Sequence, residues 1–217
     1  MRAHASIDSG ELRLALDDVE DELRDAVVRL GFAPEGDAFV RAFPADAPYA
    51  EVAGQRFEVY AGRFVRQCAG LEPVPWEYAL ATLIERAGVD DWWLVGSTAL
   101  AVRGARVAPR DLDVVSDAQG CDRLAGAIAD LLVEPLVDGG FLGQRWLRAF
   151  ADARIECVGG VHASLEPTDV GPVAASRLET VTWRGHSLRV PPLDLQLQVS
   201  ERRGLDDRVR AIRELLA

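Results

Sequence analysis

Asp111-Leu112-Asp113-Val114 alternates acid and apolar side chains at the head of a segment that runs on into Val115. Successive side chains of a strand face opposite ways, so Leu112 and Val114 point into the protein while Asp111 and Asp113 share the other face. Two neighbouring carboxylates repel each other and are costly to hold together unless a cation sits between them. Upstream, Trp92-Trp93-Leu94-Val95 reads as an apolar strand that ends at Gly96-Ser97. A short helix over 98–102, closed by Gly104, leads into a loop containing Pro109 and then to the acids. The Gly-Ser turn offers backbone N–H groups at a helix start, a natural seat for a phosphate. Metal-binding acids facing a phosphate seat point to chemistry on a nucleoside triphosphate.

Length and charge narrow the setting. The chain has 217 residues, 49% of them hydrophobic, enough for one ordinary domain, or one domain with a small appendage, and a proper core. Its formal net charge of -11 argues against broad nucleic-acid binding, which needs a basic face, but leaves room for one specific RNA acceptor. The chain contains no lysine, so every strong base is an arginine and lysine-based mechanisms are excluded. Cys68, Cys121 and Cys157 show no paired spacing, which favours buried reduced thiols over a zinc site or disulfide framework. No apolar run approaches membrane-spanning length and residues 1–11 lack the apolar core of a signal peptide, so a cytoplasmic location is expected.

Taken in order, residues 1–10 read as frayed and 11–30 as an amphipathic helix with Leu12, Leu16, Val19, Leu23, Ala26, Val27 and Leu30 on its apolar side, stopped by Gly31. A short strand is expected within 37–43 and a helix over 56–69. Residues 1–72 thus form a mainly helical N-terminal appendage of unassigned role, and 73–217 the principal domain. In that domain helices are expected over 76–87 and 122–132, a strand over 133–137, and a hairpin of 144–150 with 153–158. A second hairpin brackets Arg184-Gly185-His186, Pro191-Pro192 releases the chain into 193–200, and 206–216 is a last helix.

Glu156, between Ile155 and Cys157 on the later strand, is an awkward carboxylate without a partner. If that strand lies beside the Asp111 strand, three carboxylates meet and can hold one or two Mg²⁺ ions about 4 Å apart for in-line phosphoryl displacement. Asp111 and Asp113 then bind metal, and Glu156 holds a second metal or accepts the proton of an attacking hydroxyl. The plainer alternative pairs Asp111 with Arg110 and Glu156 with Arg154 or Arg145. Arg103 and Arg110 flank the site and are candidates to neutralise phosphate. His162, Trp146 and Trp183 read as structural, as does one of Trp92 and Trp93.

Together, Leu94-Val95-Gly96-Ser97, Asp111-Leu112-Asp113-Val114 and Ile155-Glu156-Cys157 resemble the signature of the nucleotidyltransferase superfamily related to DNA polymerase β. The resemblance covers about residues 76–161 and looks closest to the small bacterial branch that includes antibiotic-modifying enzymes and nucleotidyltransferase toxins. It implies an α/β (α+β) fold, a small mixed sheet backed by helices. It also implies that Ser97 contacts the terminal phosphates and that Asp111 and Asp113 ligate Mg²⁺. The implied reaction moves a nucleoside monophosphate from an NTP, with ATP favoured, to a hydroxyl of an unidentified acceptor, releasing pyrophosphate. Toxin-like relatives often carry a lysine on the helix after the proline turn; here Gln196, Gln198 and Ser200 stand there, with Arg202 or Arg203 as weak substitutes. The competing expectation is a catalytically silent fold that binds a nucleotide or a partner protein, for instance as half of a toxin–antitoxin pair. A dinucleotide-binding Rossmann domain is disfavoured, since no G-x-G-x-x-G follows the first strand.

Overall fold

A computed structural model describes residues 1–165 and 168–217. It opens on a hairpin of β1 (Arg2–Asp8) and β2 (Glu11–Asp17), turning at Ser9 (φ 50°) and Gly10 (φ 84°). Helix α1 (Asp21–Arg29) follows, then β3 (Ala33–Glu35) and β4 (Ala38–Pro44), completing an antiparallel sheet in the order β1-β2-β4-β3. Helix α2 (Ala50–Ala69) packs on it. This corrects two expectations. The first ten residues are a strand and its turn, not frayed, and 11–30 is a strand followed by a helix. Leu12, Leu14 and Leu16 alternate at the strand period and are all buried, whereas helical spacing uses only Leu12 and Leu16. The N-terminal segment is therefore mixed α and β rather than mainly helical.

The second sheet carries the acids. Helix α3 (Trp76–Ala87) leads to β5 (Trp92–Leu94), helix α4 (Gly96–Val102) and β6 (Leu112–Ser116). Helix α5 (Ala118–Ala127), capped by the Asp117 side chain accepting from Gly120 N at 2.6 Å, precedes the strands β7 (Leu132–Val137), β8 (Gly143–Ala151) and β9 (Ala153–Val161). The strand order is β5-β6-β9-β8-β7, with β6 and β9 parallel and the other pairs antiparallel. The rest comprises α6 (Pro172–Ala175), the hairpin β10 (Glu179–Trp183) with β11 (His186–Val190), and the helices α7 (Leu193–Arg202) and α8 (Asp206–Leu216). No helix among the described residues is long and apolar enough to cross a membrane. All three cysteines are free thiols.

Each face of the second sheet has its own core. Leu112, Val114, Leu147, Ile155 and Cys157 pack with Leu80, Leu83 and Leu124 of α3 and α5. On the opposite face Val133, Trp146 and Phe150 join Phe32, Phe57 and Phe64 of the N-terminal segment. Residues 1–72 therefore share a core with the central sheet; burying each of those aromatic rings contributes roughly 1.5–3 kcal/mol to holding the two parts together.

Candidate active site

The parallel register of β6 on β9 sets Leu112 against Ile155, Asp113 against Glu156 and Val114 against Cys157. Leu112, Val114, Ile155 and Cys157 are at most 1% exposed, so their burial drives Asp113 and Glu156 together to the other face. Asp111, two residues before Asp113, joins them there. The turn between β5 and α4 is tied to β6 by Val95 N donating to Asp113 O at 3.0 Å and by Thr98 Oγ1 donating to Asp111 O at 2.7 Å. Gly96 has φ +62°, and a Cβ built on it would lie 2.9 Å from Asp113 Oδ2. Glycine is thus required twice, by the backbone and by the carboxylate pressed against it.

These groups form one wall of an open cleft of about 1280 Å³. Gly96, Ser97, Asp111, Asp113 and Glu156 all line it. Arg106 and Arg110 contribute from the loop before β6, and the C-terminal part of the chain contributes Arg203, Arg208 and Arg210 together with Asp206, Asp207 and Glu214. The Arg208 guanidinium reaches to 3.8 Å from the space over Gly96 that a Cβ would fill. Arg208 beside the glycine turn, with Arg106 and Arg110 on the loop before β6, suits a polyanion that is itself held through a cation.

The acids are not equivalent. Asp111 Oδ2 accepts from Arg154 Nη2, and Glu156 Oε1 accepts from Arg148 Nε at 2.9 Å and lies 3.2 Å from Arg154 Nε. Asp113 forms no ion pair among the described residues. Its carboxyl is pushed up to about 8 by burial first and then by the Asp111 and Glu156 carboxylates, against the pull of Arg154 and Arg208. Burial also acts to raise Glu156, but Arg148 and Arg154 outweigh it and hold that carboxyl below its usual range. The expected three-carboxylate cage accordingly takes a different form: among the described residues no three His, Cys, Asp or Glu side chains are gathered as a metal site. The plainer pairing of Glu156 with Arg154 occurs, with Arg148 rather than Arg145 as second partner, and Asp111 pairs with Arg154 rather than Arg110.

Arg103 is not brought to the cleft. Its Nη2 donates to Glu179 Oε2 at 2.5 Å and to Pro191 O at 3.0 Å, tying α4 to the hairpin of β10 and β11. Arg145 pairs with Asp122 at 2.8 Å. His162 Nε2 lies 3.2 Å from Gly140 O, in the loop before β8, and both Trp92 and Trp93 are buried. Gln196 and Ser200 are buried as well, and Gln196 Nε2 donates to Gly96 O at 3.4 Å, so the helix after the proline turn supports the glycine turn from beneath. Sequence reasoning passed over Arg148 and Arg208. Arg148 had a readable signal: a hairpin centred on Asp152 sets residues 148 and 156 opposite each other. Arg208 had none, since it depends on how α8 packs against α4.

No protein-family model and no curated protein matches the chain. The crystal structure of a candidate nucleotidyltransferase from Thermotoga maritima does. It aligns over 64% of this chain and 90% of its own, at 18% identity and a TM-score of 0.50. The chain has a nucleotidyltransferase fold. Two structures of the antibiotic-resistance factor ANT(2'')-Ia, one in complex with adenylyl-2''-tobramycin and one in solution, align at 16% and 15% identity. They cover 65% and 64% of this chain and 87% and 79% of theirs, with TM-scores of 0.42 and 0.41, too loose an overlap to carry an argument.

Within this nucleotidyltransferase fold the glycine turn yields a direct test. Gly96→Ala meets both a positive φ, costing about 1–3 kcal/mol, and Asp113 Oδ2. We expect thermal melting to fall by about 2–12 °C for a chain of this size. If Gly96→Ala melts with the parent, the close approach of turn and carboxylate is wrong.

Proposed function

We propose that this chain is a Mg²⁺-dependent nucleotidyltransferase that moves a nucleoside monophosphate from an NTP, with ATP the favoured donor, to a hydroxyl of an acceptor, releasing pyrophosphate. The observation that carries this reading is Asp113 lying beside Glu156 across β6 and β9, with Asp111 on the same face, in one cleft that Arg208 also lines. The donor set fits Mg²⁺. Asp111 and Asp113 offer hard oxygen ligands, and carboxyls crowded beside Glu156 in a buried corner are an arrangement that a divalent cation would relieve. When bound, the ion supplies charge neutralisation on the transferring phosphoryl group. Arg208, Arg203 and Arg210 are suited to grip the triphosphate, and Ser97 at the glycine turn to meet its terminal phosphates. Glu156 is better suited to holding Arg148 and Arg154 than to accepting a proton, because a carboxyl held below its usual range is a weak base near neutrality. A cytoplasmic setting, where Mg²⁺ and NTPs are plentiful, belongs to the same proposal.

The test is incubation of the intact protein with radiolabelled ATP, Mg²⁺ and fractionated cell extract, followed by mass spectrometry for an added nucleotide and by pyrophosphate release. Labelled product that Arg208→Ala reduces by about tenfold or more supports the reading; removing one donor to a developing charge typically costs that much. A second reading, a silent fold that binds nucleotide or a partner protein, is favoured by the engagement of Glu156 with two arginines. Calorimetric binding of Mg²⁺·ATP without product in any fraction selects it. Neither binding nor product rejects both.

A further inference from the structure

A line of buried charge runs from the cleft across the sheet and into the N-terminal segment. Register pairs Asp113 with Glu156, Glu156 with Arg148, and Arg148 with Glu134, one residue from each of four adjacent strands. Arg148 is 4% exposed and Glu134 0%. Arg148 Nη1 donates to Glu134 Oε1, and Arg41 of β4 places Nη1 3.3 Å from Glu134 Oε2. Both arginines also converge on one backbone atom. Leu30 O, at the C-terminal end of α1, accepts from Arg41 Nη1 at 2.5 Å and from Arg148 Nη1 at 3.1 Å. Their guanidinium carbons lie 4.6 and 5.0 Å from the Trp146 ring centroid. Gly31 makes room for this, since a Cβ there would lie 2.6 Å from Arg41 Nη1.

Such a row is an expensive way to join two parts of a chain. Well-packed apolar residues of similar volume hold a buried interface as well or better, so ions kept in one call for another explanation. Here the row does not stop at the interface. Beyond Arg148 it continues through Glu156 and Arg154 to Asp111. Arg41, Arg148 and Arg154 pair with Glu134, Glu156 and Asp111, three cations to three carboxylates, and Asp113 at the cleft is the acid outside these pairs.

We propose that the N-terminal segment positions the active site from outside the cleft: Arg41 and Leu30 O fix Arg148, and Arg148, Glu156 and Arg154 in turn fix Asp111 where Mg²⁺·NTP binds. The inference rests on the nucleotide reading above and assigns residues 1–72 a task in it. Arg41 and Arg148 are positioning residues, and neither touches substrate. Loss of a partner at this remove from a metal ligand typically costs about 10–100-fold in metal affinity or activity.

Two measurements on the full chain test it. The first is calorimetric titration of Mg²⁺ with the non-transferable analogue α,β-methylene-ATP, at a temperature where every variant is folded by circular dichroism. Arg41→Met is expected to weaken binding about tenfold and Arg41→Lys to recover part of it. Gly31→Ala, which displaces the Arg41 head without removing a charge, is expected to behave like Arg41→Met. If the parent binds and all three variants bind as it does, the proposal is overturned while the nucleotide reading stands. If the parent does not bind, the nucleotide reading fails, and the functional part of the proposal with it. The second measurement needs no nucleotide: melting of Arg41→Met, Glu156→Gln and the double variant. A continuous row predicts that the double variant loses at least 2 °C less than the two single losses added together, because partners in one network do not act independently. Additive losses would show that no linkage runs from the N-terminal segment to the cleft and would overturn the proposal.

Discussion

Asp113→Asn is expected to lower nucleotidyl transfer by about a thousandfold, about 4 kcal/mol of barrier, while leaving the chain folded. Asparagine keeps the size and polarity of aspartate but carries no charge to share with a cation. The same substitution has an opposite effect on stability in metal-free protein. The folded Asp113 carboxyl sits at about 8 against an ordinary 3.8, so the folded chain binds this proton more tightly than the unfolded chain does. That contribution is whole below pH 3.8 and is lost as pH climbs through about 8. Asparagine mimics the protonated form at every pH. In EDTA the variant and parent are therefore expected to melt together near pH 4 and to diverge as pH rises, the variant ending a few kcal/mol more stable at pH 9. Parallel melting curves across that range would contradict the crowding of the three acids; retained transfer would remove Asp113 from the site.

Arg148→Ala is expected to be the most damaging single change to the fold. It leaves Glu134, which is 0% exposed, with only Arg41 at 3.3 Å as an ion-pair partner, and takes the 2.9 Å hydrogen bond from Glu156. Breaking a buried pair by removing one partner costs about 3–5 kcal/mol, which for a chain of this size lowers melting by about 6–20 °C. The cost comes from uncompensated carboxylates rather than from lost attraction. The triple variant Arg148→Met, Glu134→Gln, Glu156→Gln is thus expected to regain most of the loss. If the triple variant melts no higher than Arg148→Ala, packing volume and not charge governs this position.

The acids were legible because their information is local. Alternation alone says that Asp111 and Asp113 share a face, and Glu156 declares itself as a carboxylate between Ile155 and Cys157. Helix α3 was equally plain, its apolar spacing bounded by Pro75 and Gly88. The arginines were harder, since a partner across a sheet is fixed by register, and a contact such as Arg208 over Gly96 by the docking of whole helices. The N-terminal hairpin was misread because Leu12, Leu16, Val19 and Leu23 satisfy helical spacing while Leu12, Leu14 and Leu16 satisfy strand spacing. Only the Ser9-Gly10 turn, with both residues at positive φ, distinguishes the two.

The buried charge row has a further consequence, for heat. Hydration of ions grows less favourable on warming, so the penalty for keeping Glu134 and Arg148 away from water shrinks, while the gain from burying hydrocarbon levels off. The seam between the N-terminal segment and the sheet is accordingly relatively cheaper to maintain in a warm cell than in a cold one. Chilling, which also weakens apolar association, strains that seam from both directions.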